Sequence, residues 1–225
     1  MSRQLTFDIP HQAAFKREDF YISTSNKVAF ALIDDVLESD DRRLAISGPR
    51  GCGKTHLAHI WATKFNARII QAHDIADYDI PNLSLQAIAV ENVPQIATDM
   101  DAQRNLFHLH NLTFEFGQRL LVTGQESIKR WGLSLPDLQS RIESFPSATL
   151  EEPDDLLLSA ILGKLFHDRQ IIPKTDVIPY LVTHMERSIN AARQIVKDID
   201  HASLAQRRNV TRSLARDVLA ENEHT

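Results

Sequence analysis

Residues 48–55 read GPRGCGKT, and the apolar run LAIS at residues 44–47 stands directly before them. The spacing G-x-x-x-x-G-K-T is that of the phosphate-binding P-loop, whose glycines let the backbone turn back so that its N–H groups surround phosphate oxygens. The segment HLAHIWATKF that follows predicts a helix. A strand, a loop and a helix in this order predict a protein that binds a nucleoside phosphate.

Two side chains of this loop have specific expected roles. Lys54 is expected to neutralise the β- and γ-phosphates, and Thr55 to offer its hydroxyl to Mg²⁺. Cys52 occupies a variable loop position, where we expect a small tolerated residue rather than a redox group. The predicted nucleotide-binding positions of the loop are Gly48, Pro49, Arg50, Gly51, Cys52, Gly53, Lys54, Thr55 and His56. The expected cofactor is ADP or ATP, with Mg²⁺.

The composition narrows the class of protein. The chain has 225 residues, of which 43% are hydrophobic and 24% charged, as is typical of a globular protein. The net charge of −5 argues against strong direct DNA binding, although the arginines at 207, 208, 212 and 216 form either a solvated helix face or, less favoured, a phosphate-contacting patch. A single cysteine, no signal-peptide core and no apolar run of about 18 residues predict a cytoplasmic protein away from membranes.

Short apolar runs alternate with helical stretches over the first two thirds of the chain. This alternation predicts parallel βαβ crossovers, and so an α/β fold with a parallel sheet covered by helices on both faces. The expected strands are Leu44–Ser47, Ala67–Gln71, Gln86–Val90, Arg119–Thr123 and Ala148–Leu150. The expected helices are Asn26–Glu38, Lys54–Phe65, Ala102–Phe116 and Leu135–Glu143.

The pattern changes near residues 152–153, after which only helical periodicity remains. The expected helices are Asp154–Asp168, Asp176–Met185, Ile189–Leu204 and Arg212–Ala220, with Ser188 and Thr211 as N-caps of the last two. We therefore predict an N-terminal tail at 1–20, an α/β nucleotide-binding domain at 21–152 and a small all-helical lid at 153–225.

Polar residues follow two of the expected strands. Glu91 and Asn92 end the run AIAVENV, and a P-loop needs an acidic group at such a strand end to hold its metal. Glu91 is expected to reach Mg²⁺ through water, whereas Asn92 orients a water without accepting its proton, which predicts weak or absent hydrolysis. Thr123, in LLVTGQ, is the expected sensor of the γ-phosphate or of water, unless that segment is a simple strand-ending turn.

Arg141 and the histidines are less informative alone. Arg141, in LPDLQSRIESF, would by itself more often be a surface residue. Of the ten histidines, His56 and His59 form the close helical pair, and no third ligand joins them at metal-binding spacing, so we expect structural or exposed roles.

With GKTHLAH, AIAVENV, LLVTGQ, LPDLQSRIESF and MERSINAARQIV in this order, the chain resembles the AAA+ ATPases of the bacterial initiator DnaA family. The likeness covers nearly the whole chain and is greatest to the short homologues of DnaA that regulate initiation. It implies the AAA+ fold, with a parallel P-loop sheet followed by a helical lid. The chain departs from the family pattern at Glu91 and Asn92, which replace acidic residues of the second motif.

The resemblance also implies roles for particular residues. Arg141 matches the arginine finger that reaches into a neighbouring subunit's nucleotide site, and Arg187 matches the lid arginine that contacts phosphate, with Arg193 ranked lower. Tyr21 and Ile22, after Phe20, lie where the adenine-contacting segment begins. The tail residues that resemble a sliding-clamp-binding pentapeptide are Gln4, Leu5, Thr6, Phe7 and Asp8.

The resemblance implies a regulatory inactivator of DnaA. Such a protein would bind ADP or ATP, dock on the DNA-loaded sliding clamp and promote hydrolysis of DnaA-bound ATP. An autonomous AAA+ motor or helicase loader, and a non-catalytic clamp-binding adaptor, are the rival interpretations, and a P-loop kinase is less favoured still. The oligomeric state, including a homo-oligomer, is left open.

Overall fold

The computed structural model describes residues 20–35 and 42–222. Within them the apolar runs form a sheet of parallel strands in the order β2-β3-β4-β1-β5. The strands are β1 (Arg43–Ser47), β2 (Arg68–Gln71), β3 (Ile88–Glu91), β4 (Leu120–Gly124) and β5 (Ser147–Thr149). The P-loop follows β1, which lies inside the sheet between β4 and β5.

Helices cover both faces of this sheet. The α helices of this part are α1 (Lys27–Asp35), α2 (Lys54–Phe65), α3 (Ile80–Leu83), α4 (Met100–Glu115) and α5 (Pro136–Glu143). Alternate strand residues enter different cores because successive side chains of a strand point to opposite faces. Leu44 and Ile46 pack with α1 and α2, whereas Ala45 packs with α4 and α5. The expectation of an AAA+ α/β fold is thereby confirmed at the level of the sheet.

The helical lid has a separate core. Its helices are α6 (Asp155–Asp168), α7 (Val177–His184), α8 (Ile189–Gln206) and α9 (Arg212–Asn222). Leu158, Phe166, Leu181 and Ile199 are among the side chains buried between them. None of the helices described in this chain is long and apolar enough to cross a membrane.

Polar caps define where the lid helices begin. The side chain of Asp154 accepts a hydrogen bond from the amide of Leu157 at 2.8 Å, and that of Ser188 from Ala191 at 3.2 Å. The Thr211 hydroxyl lies 3.4 Å from the Leu214 amide at the start of α9. The last two are the caps that the sequence predicts.

Most expected elements are present, with shifted ends. The largest strand correction is β3, which begins at Ile88 rather than at residue 86, because the parallel ladder pairs Ile88 with Arg68 and with Leu120. Helix α1 is described to Asp35, and residues 36–41 lie outside the described part. Short helices that the apolar period does not predict are Ala72–Asp77, Ile80–Leu83, Val93–Ile96 and Ile128–Arg130. The tail residues 4–8 also lie outside the described residues.

The P-loop and the lid meet at Gly51. The backbone amide of Ile189, the first residue of α8, donates a hydrogen bond to the Gly51 carbonyl at 2.8 Å. A Cβ atom on Gly51 would overlap the hydroxyl of Ser188, which is buried. Gly51 also has φ 74°, in the left-handed region that favours glycine. Both the conformation and the close approach therefore require glycine here.

We predict that Gly51→Ala destabilises the chain by about 1–3 kcal/mol, because the new methyl group must displace Ser188 and strain the backbone. The matched control is Gly163→Ala, since Gly163 lies in α6 with open space around its missing Cβ. That change should stabilise by about 0.5–1 kcal/mol. Urea unfolding of both variants measures the difference. Equal changes of the same sign would show that the contact at Gly51 does not constrain the fold.

His110 is a buried ionisable residue in the core behind α5. Its ring stacks on Phe145 at 5.6 Å between ring centres, and its Nδ1 lies 3.1 Å from the Asn111 side-chain oxygen. Its Nε2 is buried with no hydrogen-bond partner among the described residues. Burial, helped by the nearby positive charges of Arg43 and Arg141, lowers the pKa of His110 below its ordinary value.

We predict that this lowered pKa makes stability depend on pH. Neutral His110 contributes fully to the free energy of unfolding above the unfolded-state pKa of about 6.5. This contribution is lost as the pH falls through the lower folded-state pKa, and the free energy of unfolding then changes by at most about 1.4 kcal/mol per pH unit. Unfolding measured from pH 7.5 to 5 should show this slope in the parent and a smaller one in His110→Gln. His108→Gln, at an exposed position of the same helix, should keep the parent slope. An unchanged slope in His110→Gln would contradict the assignment.

Candidate nucleotide-binding site

The loop after β1 exposes backbone amides at the start of α2. Gly53, with φ 109°, precedes α2 and has no side chain that could cap the helix. The first N–H groups of a helix have no partner within the helix, and they carry its partial positive charge. The first turn of α2, from Lys54 to His56, lines a cavity. The loop therefore presents an anion-binding helix terminus to that cavity.

Lys54 is a buried cation without a carboxylate partner. The residue is only 8% exposed. Its Nζ donates hydrogen bonds to the carbonyl oxygens of Gly48 at 2.8 Å and Pro49 at 2.6 Å. No described acidic residue forms an ion pair with it. Because carbonyl dipoles do not cancel a full charge, the buried ammonium group favours an anion in the cavity.

Cys52 lies behind the loop and is 3% exposed. Burial raises the pKa of its thiol, and the nearby positive charge of Lys54 only partly opposes this. The Lys54 Nζ lies 3.8 Å from the sulfur. A raised pKa keeps the thiol protonated and weakly nucleophilic, so Cys52 fills space rather than doing chemistry.

The loop borders a cavity of about 480 Å³ between the sheet and the lid. Its lining residues are Arg50, Gly51, Gly53, Lys54, Thr55, His56, Asn92, Gln95, Gln125, Ile189, Asn190 and Arg193. The charged side chains among them are Arg50, Lys54 and Arg193, all cations. Four other lining residues carry side-chain amides. The cavity thus has the charge and the donors that a polyphosphate requires.

A smaller apolar compartment of about 70 Å³ adjoins this cavity and shares His56, Ile189 and Arg193 with it. Its other lining residues are Phe20, Tyr21, Asn26, Leu157, Ile161, Lys164 and Leu165. The Phe20 ring stacks on Phe30 with 5.2 Å between ring centres. The compartment offers apolar walls beside the phosphate site, as a flat base requires.

The structure brings Tyr21, but not Ile22, to this compartment. Ile22 is 58% exposed and faces a neighbouring groove beside Leu156. The loop residues Gly48, Pro49 and Cys52 form the turn without lining the cavity.

The residues expected to hold a metal are not assembled at the cavity. Glu91 is 4% exposed, and its carboxylate accepts a hydrogen bond from the Gln71 side chain at 3.3 Å. Asn92 has φ 60° and reaches the cavity, and its side-chain amide donates to the oxygen of Gln71 at 2.8 Å. Only Thr55 of the two expected metal ligands lines the cavity. The described residues contain no cluster of three or more His, Cys, Asp or Glu side chains that could hold a metal ion. The donors present do not fit a protein-held Mg²⁺.

Thr123 supports the loop of Asn92 instead of lining the cavity. It is 1% exposed, and its hydroxyl lies 3.4 Å from the Asn92 amide nitrogen. Gln125, two residues further along, lines the cavity. Gln95, Gln125 and Asn190 are site residues that the sequence analysis did not single out. The position of Gln125 after an apolar strand was a usable signal for it.

The two lid arginines have different surroundings. The Arg187 guanidinium donates to the Pro153 carbonyl at 2.9 Å and lies 2.7 Å from the Asp155 carboxylate, outside the cavity. Arg193, in α8, lines both compartments, and burial lowers its pKa. Of the two arginines, the one ranked lower, Arg193, is therefore the one that lines the cavity.

Arg141 is not among the residues that line this cleft. It is exposed in the last turn of α5, and its side chain makes no hydrogen bond or ion pair with a described residue. The buried neighbours Leu138 and Ile142 fix the helix beneath it. This guanidinium is available to a partner molecule.

Known proteins resemble this chain in its helical lid and in its overall fold. Residues 159–219 match the family model described as Hda, lid domain. Domain III of the Thermotoga maritima replication initiation protein DnaA is similar to this chain with a TM-score of 0.80 and 16% identity, covering 92% of this chain and 96% of that one.

Two longer proteins have similar structures. AMPPCP-bound DnaA from Aquifex aeolicus has a TM-score of 0.71 at 19% identity and covers 83% of this chain and 65% of its own. A DNA replication initiation factor has a TM-score of 0.76 at 18% identity and covers 85% of this chain and 66% of its own. This chain thus spans about two thirds of these longer proteins, and at such identities the likeness establishes the fold. The lid thus resembles the Hda lid domain over residues 159–219, and the whole described chain has the fold of DnaA domain III.

Proposed function

We propose that the chain binds ADP or ATP in the cleft between the P-loop and the lid. The observation that carries this proposal is Lys54, a buried ammonium group that has carbonyl partners but no described acidic partner, at the start of the helix that follows the P-loop. The apolar compartment beside Phe20 and Tyr21 would take the adenine, and Arg193 would contact the phosphates from the lid. A phosphate group would replace the carbonyl oxygens as the partner of Lys54.

We further propose that this nucleotide is held rather than turned over rapidly. Hydrolysis requires a group that accepts a proton from the attacking water. Asn92 and Gln125, at the strand ends where that group would stand, are neutral amides. Glu91, the nearest carboxylate along β3, is buried and bonded to Gln71. These surroundings support weak intrinsic ATPase activity.

Within the replication-initiation family, we propose that the chain acts in the cytoplasm as an inactivator of DnaA. Tail residues 4–8 would dock on the DNA sliding clamp, and Arg141 would reach the nucleotide site of DnaA and promote hydrolysis of its ATP. Arg141 is exposed and its side chain pairs with no described residue, which supports this role, because such a guanidinium can bind a phosphoryl group in a neighbour. An arginine supplied in trans can increase the rate by about 10³ to 10⁵.

The first prediction from this proposal separates the two lid arginines. Arg193→Gln should weaken ADP binding by about tenfold or more, as should Lys54→Ala, because each removes a cation from the phosphate site. Arg187→Gln, the matched control six residues away, should keep the ADP affinity within about twofold. Isothermal titration calorimetry measures all three. A loss with Arg187→Gln and none with Arg193→Gln would reverse the assignment.

The second prediction concerns trans activation, measured as hydrolysis of DnaA-bound ATP with this chain, clamp and DNA. Arg141→Ala should abolish stimulation while leaving ADP binding intact, and Arg141→Lys should restore little, because one ammonium cannot make a planar two-point contact. Arg130→Ala, at another exposed arginine, should stimulate as the parent does.

Deletion of residues 1–8 should also remove stimulation, by removing clamp binding. Full stimulation by Arg141→Ala would refute the trans-acting arginine. If clamp binding persisted without stimulation by the parent, the chain would be an adaptor. A robust ATPase rate in the isolated parent would instead favour an autonomous motor.

A further inference from the structure

We infer that this site binds its nucleotide without needing Mg²⁺. Resting on the proposed nucleotide binding, the inference replaces the metal that the P-loop motif leads one to expect. The described lining of the phosphate cavity contains three cations, Arg50, Lys54 and Arg193, and no carboxylate. The protein's own groups would therefore perform the charge neutralisation that Mg²⁺ performs in other P-loop sites.

Four residues with side-chain amides also line the cavity: Asn92, Gln95, Gln125 and Asn190. Proteins hold Mg²⁺ through one or two carboxylates together with substrate phosphates, and the ion gives up its water ligands reluctantly. Neutral amides offer it little in exchange for water. They can, however, donate N–H groups directly to phosphate oxygens.

The one carboxylate at this strand end is committed elsewhere. Glu91 is buried, and the Gln71 side chain joins it to Asn92: Gln71 donates to the Glu91 carboxylate at 3.3 Å and accepts from Asn92 at 2.8 Å. This chain of side chains keeps Glu91 behind Asn92. A metal ion in the cavity would meet the Asn92 amide before any carboxylate.

The positive charge of the cavity lining also disfavours a bound Mg²⁺. A divalent cation entering the cavity is repelled by Arg50, Lys54 and Arg193, and no described lining residue offsets that repulsion. Among the protein's expected metal ligands, only the Thr55 hydroxyl lines the cavity, so the phosphates would have to supply the charge that holds the ion. Free ADP also binds Mg²⁺, so the ion is present before and after binding. It would therefore contribute little to the free energy of ADP binding.

The test is calorimetric titration of the full chain with ADP, in buffer containing MgCl₂ and in buffer containing EDTA. We expect the two dissociation constants to agree within about twofold. A loss of about tenfold or more in EDTA would overturn the inference while leaving the nucleotide site intact. If ADP bound in neither buffer, the proposed function itself would fail, so the two failures are distinguishable.

A variant with an added carboxylate tests whether the lack of an acidic lining residue is the reason for the independence from Mg²⁺. Asn92→Asp places a carboxylate on the cavity wall with almost no change of size. ADP binding by this variant should become dependent on Mg²⁺, with an affinity lower by about tenfold in EDTA than in MgCl₂. Asn82→Asp, the same change at an exposed position on α3, should keep the parent's indifference to Mg²⁺. If Asn92→Asp also binds ADP equally in both buffers, the missing carboxylate does not set metal dependence, and the inference is wrong.

Discussion

The hydrogen bond from the Ile189 amide to the Gly51 carbonyl joins the two functional halves of the molecule. It supplies a partner for an amide at the start of α8, which no residue of α8 itself can supply. It also fixes the lid against the same loop that must surround the phosphates. Because Gly51 has no side chain, Ser188 can lie against the loop backbone, directly before the helix that carries Arg193. A change in the conformation of this loop would therefore act on the start of α8.

The buried ammonium of Lys54 gives this contact a dependence on ligand. Burying a charge against neutral carbonyl groups is unfavourable compared with burying it against an anion. A ligand that binds only the folded state stabilises it by an amount that rises with the ligand concentration relative to Kd. Phosphate binding would thus remove an electrostatic penalty at the point where sheet and lid meet. The free chain is expected to be the less stable form, with its lid held more weakly.

Much of the fold was predictable from the sequence, because its local signals agree with each other. The strand before GPRGCGKT, the helix after it and the change to helical periodicity near Pro153 each have a short-range cause. The site was less predictable, because it depends on which way a side chain turns. Arg187 and Arg193 are six residues apart around the start of α8. Only the packing of α8 shows that the first faces Asp155 and the second the cleft.

The strand ends illustrate the same limit. Thr123 and Gln125 both follow the apolar residues of β4, and the alternation of a strand cannot say which one reaches past the edge of the sheet. The structure buries Thr123 beneath Asn92 and brings Gln125 to the cavity. The left-handed conformation of Asn92, which turns the chain there, depends on the neighbouring β4 strand and on Gln71. Such contacts between distant segments are invisible in a single sequence.

The helix that begins at the P-loop and the helix that carries Arg141 pack into different cores of the sheet. The helix that begins at the P-loop packs through Leu57 and Trp61 on one face, whereas α5 is anchored through Leu138 and Ile142 in the core of the other. Loss of an acidic group at Asn92 therefore leaves the surroundings of Arg141 untouched. A chain of this fold can therefore lack an acidic residue at position 92 and still present an exposed guanidinium on α5. The proposed role requires this separation, because it assigns nucleotide binding to the cleft and the action on a partner to α5.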